Sequence, residues 1–574
     1  PTIRDNILHL CHVGVAVVRH GRGVFDENEL ANNRGACFVV TKGSHPYCLR
    51  NRMLASEHAV IVQQRGKGLY ESNHIKDNNL AQIVVRDKGS CPTFVNNTIA
   101  DGREEGALIS DFATPEFRHN QFTANVCHVT VRTSADPVID QNLMSKAVRQ
   151  GCIFTQRGMG IMTRNVVEKS FGDAVEVSGG ASPTIRGNVI QQNHSSGLHL
   201  ADAGPGVFEK NDLVWNGQCN VLVTGGGAAS KEAEAVVPTK PKAPATPQRR
   251  HRGATPQSGA AHHHGQSEAG TAGSPEQHAE PVVLSPPRVD PYAPESGFPL
   301  VRANWIVSAA GSGILASSNG RCLLIGNHIS DNVQAAAKVT TGARLIFLAN
   351  VFDHGEGCHV ADDGSAVLVA NRFIGTKTGV QTGMGARVQV FWNSFVQCGH
   401  GMLLGGGQGY VFENTLRGCQ VGIASSMFNR AIVLGNVIRD GPTGLALLAK
   451  SKCHAVNNLI VGNSDGIVID GEACSALVEH NNILKQKNAG VVVRNGHAVL
   501  SRNTIAGSPT NVVAEGASQV VVSLNLITGT QSIGISCASR GRVRADANLI
   551  HRCVNGITSA SHGCPTVRDC VVQY

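Results

Sequence analysis

An asparagine followed two residues later by Ile, Leu, Val, Phe or Met recurs every 21–24 residues along nearly the whole chain. The series runs Asn6, Asn28, Asn51, Asn73 and on to Asn211, then resumes at Asn304 and continues to Asn548, with Cys570 in the next place. Pro565-Thr-Val-Arg-Asp-Cys570 nearly copies Pro1-Thr-Ile-Arg-Asp-Asn6 and Pro183-Thr-Ile-Arg-Gly-Asn188. A fixed period of this length marks a solenoid, because each repeat can bury its apolar face only against the repeats beside it.

The contents of one repeat select the kind of solenoid. Val24-Phe-Asp-Glu-Asn28-Glu-Leu30 alternates apolar and polar residues before its Asn, the period of a strand with one buried face. A β-branched run follows, opened by a small residue, as in Gly106-Ala-Leu-Ile, Gly466-Ile-Val-Ile and Gly490-Val-Val-Val. Neither piece has the 3.6-residue spacing of a helix, and turn residues separate them. The Leu-x-x-Leu-x-Leu frame of leucine-rich repeats is absent, and helical repeats need longer periods. The expected fold is all-β: a right-handed parallel β-helix, a single solenoid of about 23 coils of 21–24 residues. At ~4.8 Å per strand spacing it makes a rod on the order of 110 Å long. Aromatics are 4% of the chain, so aliphatic side chains must fill a narrow interior. The Asn column is expected to sit at a sharp corner, where Asn tolerates φ > 0 and its amide can bond the next coil on each side.

Three regions follow: coils 1–10 over residues 1–227, an insertion over 228–296, and coils 11–23 over 297–574 continuing the same solenoid. The insertion is rich in Pro, Ala, Gly, Lys, Arg and His and nearly free of aromatics, which predicts a disordered loop extruded from one corner. Thr246, Thr255, Ser274 and Ser285 each precede Pro there, beside Arg249, Arg250 and Arg252, and are candidate phosphorylation sites. His262-His263-His264 could bind a metal adventitiously.

The net charge is +8 over 574 residues, without a block of six like charges and without aromatics interleaved among Lys and Arg. Nucleic acid is therefore not an expected partner, and no apolar run approaches a membrane span. The 17 cysteines include no Cys-x-x-Cys and read as buried free thiols of a reducing compartment, placing the chain in the cytoplasm with the nucleus as a second location. The sequence opens at Pro1 inside a repeat, which reads as a fragment with any upstream segment out of sight.

Many β-helix proteins act on acidic polysaccharides. Asp362-Asp363 and Gly399-His400-Gly401 superficially match the Asp-Asp and Gly-His-Gly elements of polygalacturonases. The repeat frame sets them near opposite ends of stacked strands, roughly 20 Å apart at ~3.3 Å per residue, too far for shared acid/base work. Asn463-Ser-Asp465 occurs in the wrong order, and no column of carboxylates suits a calcium site. The sequence therefore yields no catalytic, cofactor or metal-ligating residue, and the enzyme reading leans negative.

Finer features carry a family resemblance. Gly21-Arg-Gly, Ser44-His-Pro, Gly66-Lys-Gly and Ser90-Cys-Pro alternate along successive coils, as in Gly21-Arg-Gly-Val-Phe-Asp-Glu-Asn-Glu-Leu30 and Gly43-Ser-His-Pro-Tyr-Cys-Leu-Arg-Asn-Arg-Met53. This resembles the carbohydrate-binding/sugar-hydrolase-type (CASH) repeats of the β-helix-bearing F-box proteins. The resemblance implies a non-catalytic scaffold, the substrate-recognition part of a cullin-RING ubiquitin ligase. A protein target would lie along the rod, and a segment outside this chain would dock the adaptor and cullin. The alternatives are a polysaccharide lyase, hydrolase or epimerase of pectate-lyase-like fold, and a structural rod in a cytoskeletal assembly.

Overall fold

Each coil carries three short strands joined by three turns, as in Arg22–Asp26, Glu29–Ala31 and Ala36–Val40. The structure, a computed structural model, describes residues 1–225, 297–448, 450–529, 533–560 and 562–573. The insertion expected at 228–296, with Thr246, Thr255, Ser274 and Ser285, lies outside the described residues. Equivalent strands of successive coils pair in parallel and form three sheets, here A, B and C in the order met along a coil. Sheet A has 23 strands, matching the coil count read from the Asn series. The expected right-handed parallel β-helix is the fold.

Register is kept through the insertion. Val207, Phe208 and Glu209 pair with Leu300, Val301 and Arg302, and the Asn211 backbone N–H donates to Asn304 Oδ1 at 2.9 Å. The coil after the insertion thus stacks on the coil before it as any two neighbours do.

The asparagines form a continuous ladder. In each step the backbone N–H and the Nδ2 of one Asn both donate to Oδ1 of the next. Examples are Asn28 to Asn51 at 3.0 and 3.0 Å, and Asn393 to Asn414 at 2.9 and 3.0 Å. The second Nδ2 hydrogen reaches a carbonyl one coil back, as Asn51 does to Phe25 O at 2.9 Å. Inside a corner closed to water, these bonds satisfy backbone groups that no sheet ladder reaches.

One detail differs from expectation. The ladder Asn is not the residue with positive φ; the residue before it is, as at Glu27 (φ 53°), Arg50 (φ 51°), Trp392 (φ 55°) and Leu524 (φ 58°). Asn is retained for its amide, and the left-handed turn falls on its neighbour whatever that neighbour's shape. A second buried polar column, five residues after the ladder Asn, was not foreseen. There Asn33 N–H donates to Ser56 Oγ and Ser56 N–H to Asn78 Oδ1, both at 3.0 Å. It lines the opposite end of sheet B.

Inside, the apolar residue two after each Asn is buried: Leu30, Met53, Ile75 and Ile99 in sheet B are all fully enclosed. The few aromatics are concentrated into stacks. Tyr70, Phe94 and Phe117 lie face to face at 4.5 and 4.8 Å, and Phe352, Phe373 and Phe395 at 4.5 and 4.6 Å. The small residue opening each sheet C strand has a steric cause: a Cβ on Gly466 would lie 2.4 Å from Gly490 O and 2.8 Å from Ile483 Cγ2.

Two predictions follow from these contacts. Asn414→Ala removes the acceptor of two bonds from Asn393 and the donor of bonds to Val390 O and Asn436 Oδ1. It should cost about 2–4 kcal/mol, while Asn6→Ala at the exposed first coil should cost under about 1 kcal/mol; thermal denaturation of both variants checks the contrast. The second concerns His128, which is fully buried, so burial lowers its pKa to about 3. The unfolded imidazole takes a proton near 6.5, and the folded one refuses it until about 3. Folding then binds fewer protons, so stability is full above pH ~6.5 and declines as pH falls toward 3. The loss of Tm between pH 7 and pH 5 should be smaller in His128→Gln than in the parent.

Candidate functional site

In-register stacking turns each position of the repeat into a column, and one outward column of sheet A is distinctive. From the second coil after the insertion, next to Phe298 of the first, it reads Arg321, Arg344, Ser365, Arg387, Gln408, Arg430, Lys452, Ser475, His497, Gln519 and Arg542. Every member stands six residues before its ladder Asn. All are exposed except the half-buried Ser365. The column holds five Arg, one Lys and one His and no carboxylate; the nearest acids on the adjoining turn are Asp362, Asp363 and Glu472. Ten steps at ~4.8 Å spread it over about 48 Å. Arg387, Arg430, Lys452 and Arg542 join no ion pair among the described residues. Arg321 lies 5.8 Å over the Phe298 ring.

Two residues further along each strand, the next outward column is largely aliphatic: Leu323, Ile346, Val367, Ile432, Leu477, Val499 and Val521, with Gln389, Tyr410 and His454 among them. Val367, Val369 and Phe391 bury themselves there against Ile346, Leu348 and Phe412, as a cluster separate from the interior core. The outer face of sheet A therefore has an apolar centre beside a basic edge. A cleft of about 410 Å³ lies over its C-terminal end, lined by Ser475, His497, Val499, Gln519, Val521 and Arg542 among others. His454 Nε2 lies 3.1 Å from Glu479 Oε2 on the same face, an imidazole oriented by a carboxylate, with Lys452 two residues away.

A second group lies on the outer face of sheet C in the first arm. Asp173, Glu176 and His199 bring one carboxylate oxygen each and a ring nitrogen within 4.8 Å of one another. His199 Nδ1 is 2.9 Å from Asp173 Oδ2. Burial opposes the Asp173 charge, but hydrogen bonds from His199, Ser195 and the Ser196 N–H outweigh it and hold the carboxyl below its ordinary pKa.

The residues weighed from sequence are not brought together. Asp362 and Asp363 occupy the turn after the strand Glu356–Val360, with φ of 49° and 61°. His400 opens the strand His400–Gly405 two coils on, at the other end of sheet C. Asn463 is buried in the second polar column, where its Oδ1 accepts from Gly441 N–H at 3.0 Å, while Asp465 opens the next strand. Of the outward pairs that the repeat frame sets one coil apart, Arg4 faces Asp26 at 3.5 Å and Arg186 faces Glu209 at 3.4 Å, whereas Arg118 turns to Glu116 at 3.2 Å and Asp140 is taken by Arg164 at 2.6 Å. Among the described residues no helix is long and apolar enough to cross a membrane.

A family model, "Right handed beta helix region", matches residues 1–144, 127–231 and 295–438. The chain belongs to the right-handed β-helix family. A second model, "Periplasmic copper-binding protein (NosD)", matches residues 397–552. No curated protein matches. Similar solved structures include the A-module of Azotobacter vinelandii mannuronan C-5 epimerase AlgE4, at 11% identity over 67% of this chain and 89% of that one, with a TM-score of 0.31. A variant of the periplasmic alginate epimerase AlgG is 10% identical over 73% of this chain and 77% of that one, at 0.27. A variant of the PL6-family alginate lyase AlyGC is 10% identical over 100% and 97%, at 0.26. Likenesses at this level reflect shared coiling and carry no activity across.

Two expectations are corrected. The ubiquitin-ligase substrate receptor, with its adaptor and cullin partners, does not stand: the matching models are the right-handed β-helix and the periplasmic copper-binding NosD, and no F-box or CASH model is among them. The physical reason is that the Gly-x-Gly and Ser-x-Pro alternation marks the turn entering sheet A, a demand of the coil itself, so it specifies the fold and not one family's partners. The cytoplasmic and nuclear placement falls with it, since the NosD model that matches residues 397–552 is named as periplasmic. Of the 17 cysteines, all free, most are buried. Burial pushes thiols such as Cys358 up to about 12. A thiol that packs as a small apolar side chain does not report its redox compartment.

Proposed function

We propose that this chain acts outside the cytoplasm on an acidic polysaccharide, held lengthwise along the outer face of sheet A. The observation that carries this reading is the column from Arg321 to Arg542, which holds five Arg, one Lys and one His among its members and no carboxylate. A straight file of cations, one or a few steps of ~4.8 Å apart on a rigid sheet, suits a polymer that carries repeated anionic groups. The interposed Ser365, Gln408, Ser475 and Gln519 offer both donors and acceptors to hydroxyl groups. The neighbouring aliphatic column gives the carbon faces of sugar rings an apolar surface. Like charges repel at this spacing, and a column of them costs stability that an anionic ligand recovers.

A lyase, hydrolase or epimerase needs an acid/base pair beside the bound chain. His454 with Glu479 is the pair this face presents, and Lys452 and Arg430 stand next to it to neutralise a uronate carboxylate. We assign proton transfer at the bound sugar to His454. Among the described residues this face carries Tyr410 but no exposed aromatic series on which unpaired nucleobases could stack, which favours a polysaccharide over nucleic acid.

The test is binding of the full chain to polygalacturonate and alginate, against neutral dextran and single-stranded DNA. Binding to the acidic polymers should weaken steeply with salt, and the Arg387→Ala, Arg430→Ala, Lys452→Ala triple variant should lose about tenfold or more in affinity. His454→Ala should retain binding and lose any release of unsaturated or epimerised product. Equal affinity for dextran, or an unaffected triple variant, contradicts the reading, and preferential capture of DNA replaces it.

A further inference from the structure

Glu176 and His199 lie on sheet C in the first arm, with Asp173 in the turn entering it, on a different face and in different coils from the basic column. We propose that these three side chains form a site for one divalent transition-metal ion. The inference is independent of the polysaccharide reading, and the residues lie outside the 397–552 segment matched by the copper-binding model.

Each of the three side chains is held from outside the set. In every case one polar atom is tied by a group outside the set, which leaves the other for a shared ligand. Asp173 Oδ1 accepts from Ser195 Oγ at 2.7 Å and from Ser196 N–H at 2.9 Å, leaving Oδ2. Glu176 Oε2 accepts from Gln150 Nε2 at 3.0 Å, leaving Oε1. His199 Nδ1 donates to Asp173 Oδ2 at 2.9 Å and Nε2 lies 3.0 Å from Thr224 Oγ1; moving the ring proton to Nε2, where it is donated to that hydroxyl, frees the Nδ1 lone pair and Asp173 Oδ2 together for one ion. Outer hydrogen bonds of this kind orient metal ligands and fix the imidazole tautomer. Gln150 and Thr224 come from the coils on either side, and Ser195 from the turn that leads into the His199 strand, so the coil stacking itself builds the frame.

The charge is only partly compensated. Two carboxylates stand together with His199 as the only ion-pair partner among the described residues, and their surroundings exclude much of the water: the Asp173 and His199 side chains are 12% and 19% exposed. A divalent ion neutralises the pair where no Lys or Arg does. The donor set then selects the ion. Ca²⁺ and Mg²⁺ prefer all-oxygen shells, whereas one imidazole nitrogen with two carboxylate oxygens suits Zn²⁺ and its first-row neighbours. Three protein ligands leave a coordination position open to water or to an anionic group.

The test uses the full chain freed of metal with a chelator and titrated with Zn²⁺ by calorimetry, with Co²⁺ absorption as a geometric readout. One high-affinity equivalent is expected, unaffected by excess Ca²⁺. His199→Ala and Asp173→Asn should each weaken it about tenfold or more, with unchanged β-type circular dichroism. His262, His263 and His264 are a competing source of affinity; replacing all three by Ala should leave the high-affinity equivalent in place. Loss of that equivalent in the triple-Ala variant, or its survival in His199→Ala, overturns the proposal. A Co²⁺ spectrum that is the same in the parent and in Asp173→Asn overturns it as well.

Discussion

The hydrogen bond from one ladder asparagine to the next is the interaction on which the rest of the molecule depends. Sheet pairing alone leaves a parallel stack free to slip, because one strand of Val and Ile packs on another at several registers. A side chain whose amide accepts two bonds from below and donates one above has a single solution per coil. Each Asn fixes the corner between sheets A and B, and the corner fixes the phase of everything that follows in that turn. Bulky residues such as Trp392 and Leu524 are held in left-handed backbone at this corner, a conformation they would not choose unaided. The ladder overrides them. It also bridges the insertion without a lapse, since Asn211 meets Asn304 as it would meet a neighbour twenty-odd residues away.

Fixed phase converts a linear repeat into a set of columns, and function in such a molecule is a property of columns. A charge at one repeat position means little, whereas the same charge at that position in coil after coil makes a linear electrostatic feature tens of ångströms long. The basic edge of sheet A arises in this way, while in the first arm the same position holds Arg22, His45, Lys67, Cys91, Thr114 and Asp136 and has no consistent sign. The two arms share one fold and differ in what their faces offer. Compact groupings arise where two coils contribute together, as when Glu176 and His199 fall in one column and Asp173 and Gln150 in the next.

The fold was legible because its signal repeats: the Asn, the apolar residue after it and the glycine opening sheet C recur at one spacing, and each has a physical cause in the structure. The basic column was equally present, six residues before each Asn, but adjacent members are about a coil apart in sequence. Only alignment of the repeats on the ladder reveals it; a scan for runs of like charge does not. The Asp173, Glu176 and His199 grouping was hidden by the same separation. Asp362, Asp363 and His400 attracted notice through short-range pattern, and the strand register keeps them apart. The resemblance to F-box β-helices rested on turn residues that any coil of this shape requires. Buried thiols misled on compartment, because packing explains them fully.

The claim that one asparagine per coil sets the phase is tested most directly by thermal unfolding of two internal deletions. Removing Val437–Asn458 takes out one whole coil and rejoins Asn436 to Leu459, so that the ladder continues through Asn481. Removing only the first half of that segment puts the ladder out of step. The account predicts that the whole-coil deletion keeps a β-type spectrum and a cooperative transition close to the parent's, while the half-coil deletion loses both. Equal tolerance of the two deletions, or equal collapse, would contradict it.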